Sequence, residues 1–214
     1  MKIVTFDVET DGVDFDSSHI LSWGLKSDKE STYEEIDWGI DIPEEITAIN
    51  GFTKESLAGK EDPATSIKKL YNLLVSYSRE GYAINGFNIN FDINMLYGNV
   101  KMVTGSVPGK FKNIVDPFVI DKEFNKYRKG KRNLSTLSEI YGINVAADNL
   151  HNAMYDVELT HDLFQVMHDQ YLKSYDAKDL YANMKYWYEA QSKSLHEYFI
   201  SKGQESNVVL NWSF

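Results

Sequence analysis

The first ten residues, MKIVTFDVET, place two carboxylates at the end of an apolar stretch. Residues 2–8 are rich in apolar and β-branched side chains, which predicts a strand. Side chains at i and i+2 of a strand point to the same side, so Asp7 and Glu9 project together. Two carboxylates this close repel each other, and a divalent cation bound by oxygen would remove the repulsion. The pair therefore predicts either a metal site or two solvated acids at a strand end.

Composition places the chain among soluble globular proteins. Its 214 residues suit one domain with an appendage, and 43 % of them are hydrophobic. It has no cysteine, no run of about 18 apolar residues and no signal-peptide pattern, so we expect a cytoplasmic protein with no membrane partner. The net charge of −10 disfavours nucleic acid, unless metal ions mask clustered acids or a local basic segment binds phosphates.

Beyond the first strand, the sequence alternates between strand and helix patterns. Strands are predicted at 19–26, 31–36, 82–85 and 114–115, and helices at 53–57, 63–78, 90–97, 133–141, 150–171 and 177–201. Pro43 and Gly51 predict breaks, and Asp116 with Pro117 predicts the end of a strand. This order favours an α/β fold with a mixed sheet. The aromatic-rich segment after residue 172 ends in VVLNWSF, which suits a short strand, an intramolecular plug or a peptide for a partner.

Further acids lie far along the chain from the first pair. The stretch NGFNINFDINML places Asp92 near the start of a predicted helix, where an acid also favours the helix N-terminus. The stretch HNAMYDVELT places His151 and Asp156 five positions apart on one predicted helix. That spacing leaves them about 140° apart around the axis, so they need not bind the same atom. Each is also compatible with a solvated surface position.

The ordered set of motifs resembles the DEDDh, or DnaQ-like, 3′–5′ exonucleases over roughly residues 2–168. The motifs are Asp7-x-Glu9, then Asn88-x-x-Phe91-Asp92, then His151-x4-Asp156. The segments IPEEITAINGFTKESL, IVDPFVI and NLSTLSEIYGI resemble three further parts of that family. The resemblance implies a ribonuclease H-like fold, with a mixed five-stranded sheet flanked by helices. We expect residues 1–172 to form the exonuclease domain, and residues 173–214 to form a helical, aromatic-rich C-terminal extension that packs on the core or contacts a partner.

Two positions depart from the family pattern. The family often has His where this chain has Asn50, and again where it has Phe87. Neither position holds metal in the family, so the departures leave the chemistry intact and the substrate preference open.

The resemblance implies hydrolysis of phosphodiesters with two divalent metal ions, Mg²⁺ or Mn²⁺. Asp7, Glu9 and Asp156 would hold one ion. Asp7 would bridge to a second, which Asp92 would coordinate directly or through water. His151 would act as general base, and attack on the last phosphodiester would release a nucleoside 5′-monophosphate.

Contacts to the substrate are predicted from the same motifs and from one basic run. Thr10 follows the first acids, and Phe52 and Phe91 are candidates for stacking on bases or for core packing. The run KYRKGKR puts five basic residues in seven, which favours contact with phosphates over a solvated loop. The residues predicted to bind substrate are Thr10, Asn50, Phe52, Asn88, Phe91, Lys126, Arg128, Lys129, Lys131 and Arg132.

Three functions are compatible with these features. The first is an exonuclease acting on the 3′ end of single-stranded DNA, either free-standing or docked on a polymerase or replication partner through the C-terminal segment. The second acts on RNA instead, as in the oligoribonuclease and RNase T branches. The third is a polymerase-docking or nucleic-acid-binding module. The complete set of four acids and one histidine disfavours the third, and the sequence separates DNA from RNA poorly.

Overall fold

A mixed five-stranded sheet forms the centre of the protein. The computed structural model describes residues 1–146 and 152–212. The strands are β1 (Ile3–Thr10), β2 (Ile20–Lys26), β3 (Ser31–Glu35), β4 (Ala83–Asn85) and β5 (Ile114–Val115), in the order β3-β2-β1-β4-β5. The first three strands pair antiparallel, and β4 and β5 continue the sheet parallel to β1. The predicted α/β fold with a mixed five-stranded sheet is confirmed.

Helices surround this sheet. They are α1 (Glu44–Asn50), α2 (Lys54–Leu57), α3 (Pro63–Arg79), α4 (Asn90–Thr104), α5 (Pro117–Phe124), α6 (Leu134–Ile140), α7 (Ala153–Met167) and α8 (Ala177–Ser201), with a π-helical turn at His168–Leu172 after α7. In the described ranges, none of them combines the length and the apolar content that crossing a bilayer requires.

Two helices were not predicted. Helix α1 buries no residue, so it lacks the apolar periodicity from which helices are recognised. Pro43 and Gly51, interpreted only as breaks, are its N-cap and its left-handed C-cap. Helix α5 begins directly after β5, because Asp116 accepts a hydrogen bond from the N–H of Phe118 and Pro117 occupies the first turn.

The two faces of the sheet are covered by different helices. On β2, the indole N–H of Trp23 donates to the hydroxyl of Ser66 on α3, at 2.8 Å. The next residue, Gly24, faces α7, where a β-carbon would lie 2.8 Å from the carbonyl oxygen of Ala153. Since adjacent strand residues point to opposite faces, α3 and α7 sandwich the sheet. The absence of a side chain at Gly24 lets the start of α7 approach the strand closely.

The C-terminal extension packs against the rest of the protein. Helix α8 contacts α5 and β5, and Trp187 is only 6 % exposed. After the helix, Trp212 lies 4.7 Å from the ring of Tyr188 and joins the same apolar core. Of the segment VVLNWSF, Trp212 is buried within the protein, whereas Val209 and Leu210 are 39 % and 41 % exposed, and residues 208–212 form no strand.

Candidate active site

Strand β1 directs its two acids toward α7. Asp7 pairs with Gly24, and Glu9 pairs with Ser22, in the antiparallel ladder between β1 and β2. Directly opposite residues of such a ladder share a face, so Asp7 lies on the face that Gly24 opens to α7. The alternate residues of β1, including Phe6 and Val8, are buried on the other face. The apolar alternation of the strand therefore fixes where the carboxylates point.

The first turn of α7 brings in a third acid. The side chain of Asn152 caps this helix by accepting hydrogen bonds from the N–H groups of Met154 and Tyr155. The cap begins the helix at Ala153 rather than at the predicted residue 150, which lies outside the described residues. Asp156 then occupies the first turn, and carboxylate oxygens of Asp7, Glu9 and Asp156 lie within 4.8 Å of one another.

Helix α4 supplies the fourth acid. Asp92 is 4 % exposed and lies in the first turn of α4. Its carboxylate accepts a hydrogen bond from the backbone N–H of Val8 at 3.2 Å, which ties the helix to the strand that carries Asp7 and Glu9. Asp92 lies outside the set of oxygens within 4.8 Å, yet among neighbouring charges it has the largest effect on Asp7.

The carboxylates oppose one another electrostatically. Burial raises the pKa of Asp7 well above its usual range, and the charges of Asp92, Glu9 and Asp156 raise it further. Burial and the charge of Asp156 raise the pKa of Glu9 to about 8. Burial also raises the pKa of Asp92, against the effect of the Val8 N–H. Without a cation, this cluster resists ionisation.

The cluster fits a hard divalent cation. Its ligand atoms are carboxylate oxygens from two elements, the donors that Mg²⁺ and Mn²⁺ prefer. The positive charge of a bound cation would favour the ionised carboxylates and offset the repulsion among them. The roles of Asp7, Glu9, Asp92 and Asp156 as metal ligands remain predictions.

This charge cluster predicts how stability depends on pH when divalent metal is removed. The pKa of Glu9 is about 8 in the folded protein, against an ordinary value of 4.5 for a glutamate side chain. Between these values the folded state binds more protons than the unfolded state, so the free energy of unfolding should fall as pH rises from about 4.5 to about 8. Glu9→Gln should reduce that fall by about 1–2 kcal/mol, allowing for solvent screening of this half-buried group.

Urea denaturation in EDTA at pH 5 and pH 8 measures this effect. Addition of Mg²⁺ at pH 8 should restore stability to the wild type more than to Glu9→Gln. Equal pH dependence in the wild type and the variant would show that Glu9 does not carry the unfavourable charge.

Helix α1 is attached to the end of β1 by hydrogen bonds of residues that are predicted to contact the substrate. The amide of Asn50 donates to the carbonyl oxygen of Thr10 at 3.3 Å and accepts from the N–H of Phe52 at 3.1 Å. The hydroxyl of Thr47 donates to the carbonyl oxygen of Phe52 at 2.7 Å. The structure thus brings Thr10, Asn50 and Phe52 together beside the acids, and their contacts to substrate remain predictions.

The Asn88 loop is positioned by a buried acid. Asn88 has a left-handed backbone, with φ of 56°, which asparagine tolerates better than most residues. The carboxylate of Asp116 accepts from the N–H groups of Asn88 and Ile89, at 3.0 and 3.1 Å. Burial raises the pKa of Asp116 to about 7, although these N–H groups favour the charged form. Asp116 thereby holds the turn that leads into α4 and Asp92.

Phe91 packs against Phe15, with ring centroids 5.8 Å apart. It is partly buried, and both rings line a cavity of about 340 Å³. This environment is compatible with core packing and with an exposed edge for stacking, as predicted.

The basic run separates into structural and exposed residues. Arg128 and Arg132 both form ion pairs with the fully buried carboxylate of Asp121, and Arg132 also donates to backbone carbonyls at the end of α5. Their guanidinium groups hold the loop to α5, so we favour a structural role for them over the predicted phosphate contact. The other three basic residues of the run, Lys126, Lys129 and Lys131, are exposed and stay predicted phosphate contacts.

His151 lies outside the described residues, as do residues 147–150. Its assignment as general base remains a prediction from the sequence. The capped start of α7 at Ala153, directly after Asn152, leaves residue 151 two positions before the helix that carries Asp156.

Comparison with known proteins identifies the family. The family model described as "Exonuclease" matches residues 4–164. The chain belongs to the exonuclease family. The predicted resemblance to DnaQ-like exonucleases is confirmed by this match, which contains all the predicted catalytic residues.

Relatives of this exonuclease-family chain are distant and longer. A PolC-type DNA polymerase III from Ureaplasma parvum is 22 % identical over 183 residues, which cover 83 % of this chain and 12 % of the polymerase. The zinc-bound complex of E. coli exonuclease I with single-stranded DNA has a TM-score of 0.69 at 16 % identity, and covers 91 % of this chain and 44 % of that one. Exonuclease I from Methylocaldum szegediense has a TM-score of 0.62 at 16 % identity, covering 92 % and 45 %. These likenesses confirm the fold, and the chain spans less than half the length of each relative.

Sequence reasoning missed two charged residues around the site of this exonuclease-family chain. Asp116 was recognised as the end of a strand but not as the anchor of the Asn88 loop. Lys122 was not singled out, although it lines the cavity beside Asn88 and Phe91. The Asp-Pro dipeptide after β5 was a usable signal for Asp116, whereas a single lysine within a helix carries no comparable signal.

Proposed function

We propose that this protein is a metal-dependent 3′–5′ exonuclease that hydrolyses the terminal phosphodiester of single-stranded DNA and releases nucleoside 5′-monophosphates. The observation that carries the proposal is the convergence of Asp7, Glu9 and Asp156 within 4.8 Å, in a chain of the exonuclease family. The choice of DNA is supported by two of the similar proteins, a DNA polymerase and an exonuclease I in complex with single-stranded DNA.

Different residues of the chain would bind the metal ions and accept the proton in this reaction. Asp7, Glu9 and Asp156 would hold one Mg²⁺ or Mn²⁺, and Asp7 with Asp92 would hold the second. When bound, the ions would lower the pKa of water and neutralise charge on the phosphate. His151 would accept the proton of the attacking water, since the usual pKa of histidine suits this task near neutral pH.

Other residues would position the terminal nucleotide. The Thr10 backbone and the Asn50 side chain lie at the end of β1, and Phe52 follows on the same attached segment. We assign them to the terminal sugar and base, with Asn88 and Phe91, which precede Asp92 in the chain, as further contacts to the substrate. Stacking on Phe52 or Phe91 would tolerate every base, as an exonuclease without sequence preference requires.

A role in proofreading or repair follows if the chain works with a polymerase. This proposal is supported by the PolC-type relative, which is a DNA polymerase.

Parallel assays on DNA and RNA test the substrate. Single-stranded DNA and RNA of equal length and sequence, labelled at the 5′ end, should be incubated with the protein and Mg²⁺. We expect DNA to shorten from its 3′ end faster by about tenfold or more, because a site selects against one added hydroxyl by roughly this factor. Faster loss of RNA would assign the protein to the exoribonuclease branch, and binding without shortening of either strand would favour a docking module.

A further inference from the structure

Two adjoining cavities form one groove between α5 and α8. The first, of about 340 Å³, begins at Asn88 and Phe91, and the second, of about 450 Å³, continues toward Lys126 and Tyr198. Lys122, Gln191 and Leu195 line both cavities. We call this continuous depression the α5–α8 groove.

The groove starts beside the candidate active site. Phe91 directly precedes the buried Asp92, whose carboxylate contacts the backbone of β1. Asn88 begins the motif that ends in Asp92, and Asp116 holds its backbone in place. A strand whose 3′ nucleotide reached the four acids would therefore meet the entrance of this groove.

Lys122 gives the groove an unusual positive charge. Its ammonium lies 4.9 Å from the ring centroid of Phe118, and the residue as a whole is partly buried. Among residues 1–146 and 152–212, no carboxylate oxygen comes within 4.0 Å of it. Burial and the nearby Arg132 lower the pKa of Lys122, whereas Asp116 raises it. A cation in this environment gains from an added anion, because protein groups do not neutralise it by a direct ion pair.

Besides Lys122, the second cavity is lined by Lys126, by Arg132, which is paired with Asp121, and by the aromatic ring of Tyr198. Lys126 is exposed there, beside the exposed acid Glu123, and Tyr198 is 55 % exposed. Along α8, residues 188, 191, 195 and 198 line the groove on one helical face. The ten helical steps from residue 188 to residue 198 span about 15 Å, which is enough for a few nucleotides of a single strand.

We propose that the α5–α8 groove binds the single strand on the 5′ side of its terminal nucleotide, with Lys122 and Lys126 contacting backbone phosphates and Tyr198 stacking on a base. The combination of a basic groove with an aromatic surface is the general solution for binding single strands without sequence preference. The groove also answers the objection raised by the net charge of −10, since the cations are concentrated where the strand would leave the acids. This inference rests on the proposed function and extends it to the path of the substrate.

A series of DNA lengths tests the groove. In the wild type, kcat/KM should rise from three nucleotides to about six and then level off, as the ~15 Å of α8 becomes filled. The variant Lys122→Gln with Lys126→Gln should lose about tenfold in kcat/KM on a 12-nucleotide strand, through KM, because two charge-assisted contacts to phosphate are removed. Its kcat should stay within about twofold of the wild type, since a uniform binding contact does not alter the chemical step.

Binding provides a second readout, independent of turnover. With Ca²⁺ in place of Mg²⁺, the slope of log Kd against log salt should decrease by about 1.4 in the double variant, or about 0.7 per phosphate contact. Lys126→Gln alone should decrease the slope by about half of this amount. Because Lys126 is exposed, this single variant keeps the test valid even where Lys122→Gln perturbs folding. Lys68→Gln, at an exposed position of α3, serves as the matched control and should change neither value.

The outcomes separate the groove from the proposed function. The groove assignment would be wrong if Lys126→Gln and the double variant both kept the wild-type dependence of kcat/KM on DNA length and the wild-type salt slope. Degradation of DNA by the wild type would in that case still support the exonuclease function. A loss of kcat with unchanged KM would also overturn it. A wild-type protein that shortens no oligonucleotide would instead overturn the proposed exonuclease function.

Discussion

Asp7→Asn should lower Mg²⁺-dependent hydrolysis of single-stranded DNA by about 10³-fold or more, which corresponds to about 4 kcal/mol of transition-state stabilisation. Asp7 shares a 4.8 Å cluster with Glu9 and Asp156, and the charge of Asp92 also acts on it strongly. Asparagine preserves the size of the side chain but removes the negative charge that attracts a divalent cation. The loss should therefore appear in the chemical step.

Three measurements distinguish this effect from a loss of structure. Initial rates should be determined at saturating DNA, with Asp162→Asn as the control, because Asp162 lies on α7 with Asp156 and is 55 % exposed. Affinity for the same DNA in Ca²⁺ should remain within about fivefold of the wild type, since the groove contacts are preserved. The variant should be at least as stable as the wild type in EDTA at pH 8, where one repelling carboxylate has been removed. Retention of more than a tenth of the wild-type rate would contradict the metal-ligand assignment of Asp7.

Asp121→Ala should destabilise the protein by about 3–5 kcal/mol, the range for removing one partner of a buried ion pair. The carboxylate of Asp121 is fully buried and accepts from Arg128 at 3.0 Å, from Arg132 and from the hydroxyl of Tyr141 at 3.2 Å. Alanine would leave two mostly buried guanidinium groups without their carboxylate. The loop from residue 126 to residue 132 should then detach from the end of α5.

Urea denaturation with a common m-value measures this loss. Asp169→Ala, at a residue that is 70 % exposed, is the control and should change stability by less than about 0.5 kcal/mol. A change below about 1 kcal/mol in Asp121→Ala would show that the two arginines do not depend on this acid. They would then be available for the phosphate contacts that the sequence predicted.

Local patterns were sufficient to predict the strand that carries the first acids. The alternation of β1 lies within eight residues, so the shared direction of Asp7 and Glu9 follows from the sequence alone. The site as a whole required more, because Asp92 and Asp156 join it through the packing of α4 and α7. The family motifs supplied that long-range information, whereas helical spacing alone left Asp156 compatible with solvent.

The basic run KYRKGKR shows where a local pattern fails. Its charges suggested a uniform phosphate-binding loop, but Arg128 and Arg132 are neutralised by Asp121, which lies seven and eleven residues earlier in the chain. The groove cation Lys122 was missed for the opposite reason, because its significance depends on burial and on α8, about 70 residues later. Helix α1 was missed because it buries no residue and is attached to β1 by the polar contacts of Asn50.

Location of Mn²⁺ by anomalous diffraction tests most directly whether the acids form a metal centre. Crystals of the wild type should be soaked with Mn²⁺ and a nucleoside 5′-monophosphate, and those of Asp7→Asn treated identically. We expect one anomalous peak among the carboxylates of Asp7, Glu9 and Asp156 and a second beside Asp7, with both lost or greatly weakened in the variant. Manganese bound only elsewhere, or equal peaks in the two proteins, would contradict a metal-dependent mechanism at these residues.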